Sequence, residues 1–339
     1  MVQNKTITFT KNPDKFPILG THLSITSDSI DLSIDPPDDG LLLKNYYISL
    51  DPFMRMRMDK PISKPYVIPF KLDEPIHGGG IAKVLKSQNA KFSTGDIVCF
   101  FNDRGLPFQE YTVCDAALTE IPFEVHNPYD IDVKHFIGKP KAGETILVSA
   151  ASGAVGQLVG QLAKKEGTVF TGIVGNKEKL RYVVEELGFD AAINYKAEES
   201  IGEALKRIAP QGIDVYFDNV GGEILEAVIE NMNWFGRIVA CGTVSSYNQK
   251  REDKYGIKNH IEICTRRISM QGFIASDPNI LKHFPALQEN VQKGIADGSI
   301  KFRQDVTVGI GNAIDGLLGM LKGEKQGKAI LQVADLETE

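Results

Sequence analysis

Three closely spaced glycines are the feature of this sequence whose residue types most clearly point to chemistry. Gly153, Gly156 and Gly160 follow the apolar run Thr145–Ser149 and open a segment with helical periodicity. Without a Cβ, Gly153 and Gly156 let the backbone turn sharply and let a pyrophosphate approach the main chain, while Gly160 lets the helix lie close to a sheet. Main-chain amides at the helix start would face the phosphates. An ordinary strand–helix loop is the alternative, but the flanking strand and helix favour a dinucleotide site built from Ser152, Gly153, Ala154, Val155 and Gly156.

Lysines stand where such a site often has a carboxylate. Sites that prefer NAD place an acid at the end of the second strand, where it binds the ribose 2′-hydroxyl. This chain has Gly175-Asn176-Lys177-Glu178-Lys179 there, and two lysines suit an added 2′-phosphate. We therefore predict NADP(H) as the cofactor, held by Gly175 and Lys179, with Tyr195 beside the adenosine end. The alternative is that the lysines merely lie on the solvated first turn of a helix.

The elements that position these residues alternate between strand and helix from Gly143 onward, which in one sheet indicates parallel βαβ units. The helix after the glycines is expected to bury Val155, Leu158, Val159, Leu162 and Ala163. The first 125 or so residues carry short extended runs between turns, typical of a small β domain, with Asp51–Met58 expected to be a loop or turn. Strands of the second half are predicted at Thr145–Ser149, Val169–Val174, Ala191–Asn194, Val215–Asp218, Arg237–Cys241 and Ser269–Ile274.

Composition narrows the possible partners. The 339 residues include 44 acidic and 38 basic side chains, a net charge of -6 that argues against nucleic acid or an anionic membrane as the main partner. No apolar run approaches the roughly twenty residues that a membrane span needs, so we expect a cytoplasmic protein with a small-molecule substrate. The four cysteines and six histidines are dispersed, which predicts free thiols and no metal site.

Further runs complete a family pattern: Asp218-Asn219-Val220-Gly221-Gly222, the segment Cys241–Asn248, and Leu50–Arg55. With the glycine turn, they make the chain resemble the zinc-independent medium-chain dehydrogenases/reductases, and within them the group of leukotriene B4 12-hydroxydehydrogenase, prostaglandin reductase and alkenal double-bond reductase. The resemblance implies an α/β fold, a Rossmann-type doubly wound parallel sheet plus a GroES-like β-barrel domain. It implies a catalytic domain from residues 1–126 and 300–339, a nucleotide-binding domain from 127–299, and a homodimer.

The chemistry that the resemblance implies is NADPH-dependent reduction of the C=C bond of an α,β-unsaturated aldehyde or ketone, without a metal. Hydride goes to the β-carbon, a proton to the α-carbon, and negative charge builds on the carbonyl oxygen, where a hydrogen-bond donor is needed. By resemblance Tyr247 lies near this oxygen as the catalytic residue. A ribose hydroxyl is an alternative donor, and Tyr247 would then only pack beside the cofactor. The remaining cofactor contacts implied are Asn219, Cys241, Gly242, Phe273 and Ile274.

Three departures from the family pattern bear on activity. Phe53 replaces a tyrosine that lines the substrate pocket, and Lys325 replaces an asparagine that contacts the cofactor. Between Gly138 and Lys139 the family has a further stretch of about twenty residues that starts a helix beside the cofactor. Either the chain has a real deletion, which would open the nicotinamide pocket and predict weak NADPH affinity and poor activity, or two separated segments are joined in the sequence. An intact mass of 37.3 kDa would establish the shorter chain.

Other functions therefore stay open. A zinc-free quinone oxidoreductase would use the same cofactor on another acceptor, and comparing turnover of an alkenal with that of a quinone separates the two. A non-catalytic NADPH-binding protein would bind the nucleotide without oxidising it. A zinc alcohol dehydrogenase is disfavoured because the cysteines do not form its ligand set.

Overall fold

The computed structural model describes residues 1–60, 67–100, 105–115, 140–275 and 277–335. The chain divides into two compact units, one formed by Met1–Glu124 with Gln304–Glu339 and the other by Val125–Arg303. The predicted boundaries at 126/127 and 299/300 stay predictions, since the first lies outside the described residues.

Strands and helices follow one another along the described residues in this order. The strands are β1 Val2–Phe9, β2 Leu23–Ile30, β3 Leu41–Ser49, β4 Glu74–Pro75, β5 His77–Gly78, β6 Gly80–Ser87, β7 Ile97–Phe100, β8 Leu106–Pro107, β9 Tyr111–Cys114, β10 Thr145–Ser149, β11 Val169–Val174, β12 Ala191–Asn194, β13 Ile213–Asp218, β14 Met232–Ala240, β15 Ser269–Gly272, β16 Gln304–Val308 and β17 Lys328–Gln332. The α-helices are α1 Met54–Arg57, α2 Ala154–Lys165, α3 Lys177–Arg181, α4 Ile201–Ile208, α5 Gly222–Asn231, α6 Ile261–Thr265, α7 Pro278–Leu281, α8 Phe284–Ala296 and α9 Ala313–Leu321, and a π-helical turn, Tyr182–Glu186, follows α3.

The first unit is built on a mixed sheet in the order β16-β17-β3-β6-β7, with β9 also paired to β3. The last strand, β17, runs antiparallel to β3 with Leu331 opposite Ile48, so the C-terminal segment is part of the N-terminal sheet. A second sheet, β2-β1-β4, adds Ile7 and Phe9 to a core that α9 covers with Leu317. The short strands and turns predicted for the N-terminal part are confirmed.

Residues 51–58 differ from the expected loop or turn, because they include the short helix α1. Its two arginines are buried, at 1% exposure for Arg55 and 0% for Arg57. Arg55 donates to the Lys15 carbonyl at 2.7 Å and pairs with Asp59 at 2.6 Å. Arg57 donates to the carbonyls of Ile68 and His77 at 2.8 and 2.9 Å. Buried guanidinium groups are tolerated because carbonyls and a carboxylate accept their N–H groups, which makes Arg55 a structural residue of this segment.

Beside Arg57, the ring of His77 is largely withdrawn from water. Burial, with the nearby charges of Arg57 and Lys71, lowers the pKa of His77 from 6.5 to about 4. The folded protein therefore keeps this ring neutral at a pH where the unfolded chain binds a proton.

The pKa of His77 predicts a pH dependence of stability. Because its folded pKa lies below its unfolded pKa, the unfolded state gains protons first and stability falls as the pH drops from 6.5 towards 4. Between pH 7 and pH 5 the free energy of unfolding should fall by about 2 kcal/mol less in His77→Gln than in the unsubstituted protein. Urea titrations at the two pH values measure this, with His260→Gln, at an exposed position, as control. If the free energy of unfolding of His77→Gln changes with pH as much as that of the unsubstituted protein, His77 is not the source of the pH dependence.

The second unit is a parallel six-stranded sheet in the order β12-β11-β10-β13-β14-β15. This is the doubly wound Rossmann order, with its switch point between β10 and β13. Three predicted strands, at 145–149, 169–174 and 191–194, have the predicted bounds. The other three are present but shifted: β13 and β14 begin earlier, at Ile213 and Met232, and β14 and β15 end earlier, at Ala240 and Gly272.

The buried face of α2 is also shifted from the prediction. Val155, expected inside, is 45% exposed, whereas Gln157 and Gln161 are 0% and 7% exposed. Their amides are buried because the segment Lys301–Arg303 satisfies them: Gln161 Oε1 accepts the Lys301 amide at 2.8 Å and Gln157 Oε1 accepts the Arg303 amide at 3.0 Å. The apolar periodicity missed this because the partners lie about 140 residues away in the chain.

Candidate functional site

The predicted cofactor residues of the second unit all lie at or just beyond the carboxyl ends of its parallel strands. These ends are Ser149, Val174, Asn194, Asp218, Ala240 and Gly272. Parallel strands end at a common edge of the sheet, and in open α/β sheets ligands bind at that edge beside the switch point. The topology thus brings together residues that are separated by more than a hundred positions in the sequence.

The glycine turn is formed differently from the way the glycines suggested. The left-handed backbone conformation belongs to Ala150, with φ of 50°, while Gly153 is extended, with φ of -79°. The turn closes through the Gly153 amide, which donates to the Ala150 carbonyl at 2.9 Å. Gly156 is required by close packing, since a Cβ there would lie 2.5 Å from the Ala150 oxygen and 2.7 Å from the Ala151 Cα. Ser152 is buried and Ala154 half-buried beside it.

The start of α2 offers main-chain amides rather than a capping side chain. Gly153 is the N-cap residue, and no side chain hydrogen-bonds the first turn. Helix α2 also approaches the sheet closely, because a Cβ on Gly160 would overlap the Phe170 ring. An uncapped helix start at a switch point suits an anionic group.

Around the end of β11, the two lysines of the predicted 2′-phosphate site differ in environment. Lys179 is 8% exposed, whereas Lys177 is exposed. Asn176 caps α3 by accepting the Lys179 amide at 2.8 Å, and the Tyr195 ring lies beside Gly175, where a Cβ would be 3.5 Å from Cε1. Lys177 is therefore solvated, as the alternative interpretation expected of both lysines, whereas Lys179 is not.

At the end of β13, Asn219 joins the two central strands. Its amide donates to Ser149 Oγ at 2.9 Å and its side-chain Nδ2 donates to the Ser149 carbonyl at 2.7 Å. The Asn219 carbonyl accepts the Val244 amide at 3.2 Å, so this residue also contacts the loop that follows β14.

That loop, residues 241–248, carries the predicted catalytic tyrosine. The Cys241 and Gly242 amides both donate to the Asp218 carbonyl, at 2.9 and 3.0 Å. The half-buried Tyr247 turns back over Gly242, and its hydroxyl oxygen accepts the Thr243 amide at 3.4 Å. This bond uses a lone pair of the oxygen, and the O–H group itself is a donor. Burial, with the nearby Asp218, raises the pKa of Cys241 to about 11, so its thiol stays protonated at neutral pH.

The end of β15 places Phe273 and Ile274 next along the same edge. Phe273 is half-buried and meets Phe217 edge-on, with ring centroids 6.3 Å apart. Ile274 is 40% exposed and its amide donates to Asp277 Oδ2 at 3.1 Å.

Two polar residues of this edge belong to the family runs but were not among the predicted site residues. Asp218 is 1% exposed, and its Oδ1 accepts the Val220 and Gly221 amides and the Tyr216 hydroxyl, at 2.8–3.0 Å. Asn248 has a buried Oδ1 without a hydrogen-bond partner, directly after Tyr247. An aspartate before Asn-Val-Gly-Gly is a signal for a turn cap, whereas nothing local marks an orphaned amide oxygen.

The departures from the family pattern lie elsewhere. Phe53 is half-buried at the start of α1. Lys325 pairs with Asp305 at 2.9 Å and donates to Thr307 Oγ1 at 3.3 Å, contacts within the first unit. The junction Gly138–Lys139 falls outside the described residues.

Comparison with known proteins agrees with this geometry. Residues 5–121 match a family model described as the N-terminal domain of oxidoreductase, and residues 154–291 match one described as zinc-binding dehydrogenase. The chain is 42% identical to an NADP-dependent oxidoreductase, RED1, of Cochliobolus heterostrophus, over 99% of both chains. It is 38% identical to a 2-alkenal reductase (NADP(+)-dependent) of Nicotiana tabacum, over 92% of each. The crystal structure of CurA from Vibrio vulnificus in complex with NADPH superposes with a TM-score of 0.85 at 30% identity, covering 98% of this chain and 99% of CurA.

This chain belongs to the zinc-independent medium-chain dehydrogenases/reductases. The predicted family and the two-part α/β fold class are therefore confirmed. The alignment with the fungal relative extends over 354 positions against the 339 residues of this chain, so that relative has residues that this chain lacks. Within the described residues, no group of three or more His, Cys, Asp and Glu side chains could hold a metal ion, and no helix is long and apolar enough to cross a membrane.

The site fits a dinucleotide on its own geometry. The start of α2 has no capping side chain, so its main-chain amides can bind a pyrophosphate. The Asn248 oxygen is a buried acceptor without a donor. The glycine turn would hold the pyrophosphate, the region of Gly175, Lys179 and Tyr195 the adenosine end, and the loops after β13 and β14 the nicotinamide end.

Replacing Gly156 tests the glycine turn. Because the atoms that a Cβ would meet belong to the main chain, Gly156→Ala must displace the turn, and we expect the dissociation constant for NADPH to rise about tenfold or more. Nucleotide fluorescence titration measures it. Gly202→Ala, whose Cβ would meet no atom closer than 3.7 Å, is the control on another helix. Unchanged NADPH affinity in Gly156→Ala would contradict this role of the turn.

Proposed function

We propose that the protein reduces the C=C bond of α,β-unsaturated aldehydes or ketones with NADPH. Two parts of this statement are established: the chain is an NADP-dependent oxidoreductase, and the predicted cofactor, NADP(H), is confirmed by its relatives and by the NADPH complex of CurA. The finer assignment rests on the tyrosine of the loop after β14, whose hydroxyl lies beside the carboxyl edge of the sheet. The 2-alkenal reductase of tobacco, 38% identical, supports an unsaturated aldehyde as the substrate class.

The chain's residues can perform the tasks that this reaction leaves to the protein. Bound NADPH supplies the hydride for the β-carbon of the substrate. Negative charge then develops on the carbonyl oxygen, and a donor fixed in advance stabilises it most effectively. We assign this role to Tyr247, whose hydroxyl oxygen accepts the Thr243 amide at 3.4 Å and whose O–H group is a donor. Burial raises the pKa of the Cys241 thiol to about 11, which disfavours this residue as a nucleophile at neutral pH.

Steady-state oxidation of NADPH with a panel of acceptors tests the proposal. We expect turnover with 2-alkenals and enones, formation of the saturated carbonyl product, and little turnover with quinones. Turnover of quinones alone would favour a zinc-free quinone oxidoreductase. NADPH binding without oxidation by any acceptor would favour a non-catalytic nucleotide-binding protein and reject the proposal.

Tyr247→Phe should lower kcat for an enone about 10- to 100-fold, with a smaller change in KM, because a donor used mainly in the transition state is removed. Tyr255→Phe is the matched control on the following segment, where the hydroxyl donates to Glu226 at 2.9 Å. We expect that control to stay within threefold of the unsubstituted kcat. An unchanged kcat in Tyr247→Phe would indicate that another donor, such as a ribose hydroxyl, serves the oxygen.

The unequal burial of the two lysines gives a test of cofactor choice. Lys179→Met should raise KM for NADPH about tenfold or more and leave KM for NADH nearly unchanged, since a charge-assisted bond to the 2′-phosphate is lost. Lys177→Met, at the exposed position, should change either constant less than threefold. If the exposed lysine proves the more sensitive, our assignment of Lys179 is wrong.

We also propose that the protein is a homodimer in the cytoplasm. Strand β15 lies at the edge of the parallel sheet and all four of its residues are exposed. An uncovered strand of this kind offers unpaired backbone groups to a second chain. Light scattering should give twice the chain mass of 37.3 kDa; a mass of 37.3 kDa would reject the dimer.

A further inference from the structure

The turn that joins β13 to α5 is held by one buried carboxylate. Asp218 is the last residue of β13, and its Oδ1 accepts the Gly221 amide at 2.8 Å and the Val220 amide at 3.0 Å. The Tyr216 hydroxyl donates to the same oxygen at 2.8 Å, and Ser149 Oγ lies 3.4 Å from it. With four polar groups around one oxygen, the turn has little freedom to move.

The same residue holds the loop that follows β14 through its main chain. The Asp218 carbonyl accepts the amides of Cys241 and Gly242. The turn itself continues these contacts, because the Val220 carbonyl accepts Ser245 Oγ at 2.6 Å and the Ser245 amide at 3.2 Å. Residues 219–222 and 241–247 therefore form one hydrogen-bonded unit that ends in Tyr247.

Steric packing joins the two segments as well. Gly221 has φ of +67°, and a Cβ there would lie 3.1 Å from Thr243 Cγ2. Thr243 is the residue whose amide donates to the Tyr247 hydroxyl. A displacement of the turn after β13 would thus reach the tyrosine hydroxyl through Thr243.

We propose that Asp218 is a positioning residue: its carboxylate fixes the turn 219–222, and that turn sets the place of Tyr247 and of the nicotinamide end of the cofactor. Asp218 acts through these neighbours and not by contact with the substrate. The effect on catalysis rests on the proposed enone reductase function, whereas the effect on NADPH affinity does not.

The first test compares Asp218→Ala with Asp218→Asn. Alanine removes the acceptor, so kcat for an enone should fall at least tenfold and the dissociation constant for NADPH should rise about fivefold or more. Asparagine keeps a side-chain oxygen that can accept the Val220 and Gly221 amides. In Asp218→Asn, kcat and the NADPH dissociation constant should therefore lie within threefold of those of the unsubstituted protein. Failure of asparagine to restore them overturns the proposal.

Asp214→Ala separates positioning from general stability. Asp214 lies on the same strand near its other end, where its carboxylate accepts the Thr145 amide and Asn233 Nδ2, both at 2.8 Å. We expect Asp214→Ala and Asp218→Ala both to lower the melting temperature. Asp214→Ala should leave kcat and the NADPH dissociation constant within twofold of those of the unsubstituted protein. Equal kinetic effects of the two variants would reduce Asp218 to a structural residue and overturn the proposal.

If Asp218→Ala does not fold, Gly221→Ala is the second variant that tests the proposal. It strains the same turn while leaving the carboxylate in place, and it should reproduce the fall in kcat and the rise in the NADPH dissociation constant. Normal constants in a folded Gly221→Ala protein overturn the proposal. If the unsubstituted protein reduces no enone, the proposed function fails, and the NADPH dissociation constants of the variants still decide the role of Asp218.

Discussion

The nucleotide-binding unit depends on a close approach of backbone to backbone. Helix α2 begins so near the end of β10 that a single methyl group on Gly156 would meet the Ala150 carbonyl and the Ala151 Cα, and one on Gly160 would overlap the Phe170 ring. The helix therefore starts close to the switch point of the sheet, and amides at a helix start favour an anion. The turn also places φ of 50° on Ala150, a conformation that costs a residue with a Cβ some energy and persists because its surroundings hold it.

Buried polar groups fix the geometry within each unit, and each has at least one hydrogen-bond partner beyond its own strand or helix. In the second unit Gln157 is held by Arg303, Gln161 by Lys301 and Asp218 by the turn after it. In the first unit Arg55 is held by Lys15. An unpaired buried group of this kind costs about 1–3 kcal/mol, so the geometry is well determined wherever all of them are satisfied. Asn248 is the contrasting case, since its buried oxygen has no partner, and it directly follows in the sequence the tyrosine to which we assign catalysis.

The residues that follow the family pattern and those that depart from it lie in different units of the chain. The cofactor residues that we predict in the second unit lie along one edge of one sheet. Phe53 and Lys325, where the sequence departs from the pattern that the resemblance implies, lie in the first unit, and Lys325 pairs there with Asp305. The nucleotide-binding residues that we predict in the second unit thus follow the family pattern. The two departures, one at a substrate-pocket position and one at a cofactor-contact position of the family, lie in the first unit.

By itself the sequence determined the alternation of strand and helix, the bounds of three parallel strands, the glycine turn and the family, because these follow from hydrophobic periodicity and from glycines at fixed spacing. Tertiary structure decided the rest. It exposed Val155 and buried two glutamines in its place, folded residues 54–57 into a helix around two arginines, and distinguished Lys179 from Lys177. It also made Asp218 the link between the turn 219–222 and the loop of Tyr247. The partners of the two glutamines and of the two arginines lie on distant segments, and local pattern carries no information about a contact across the fold.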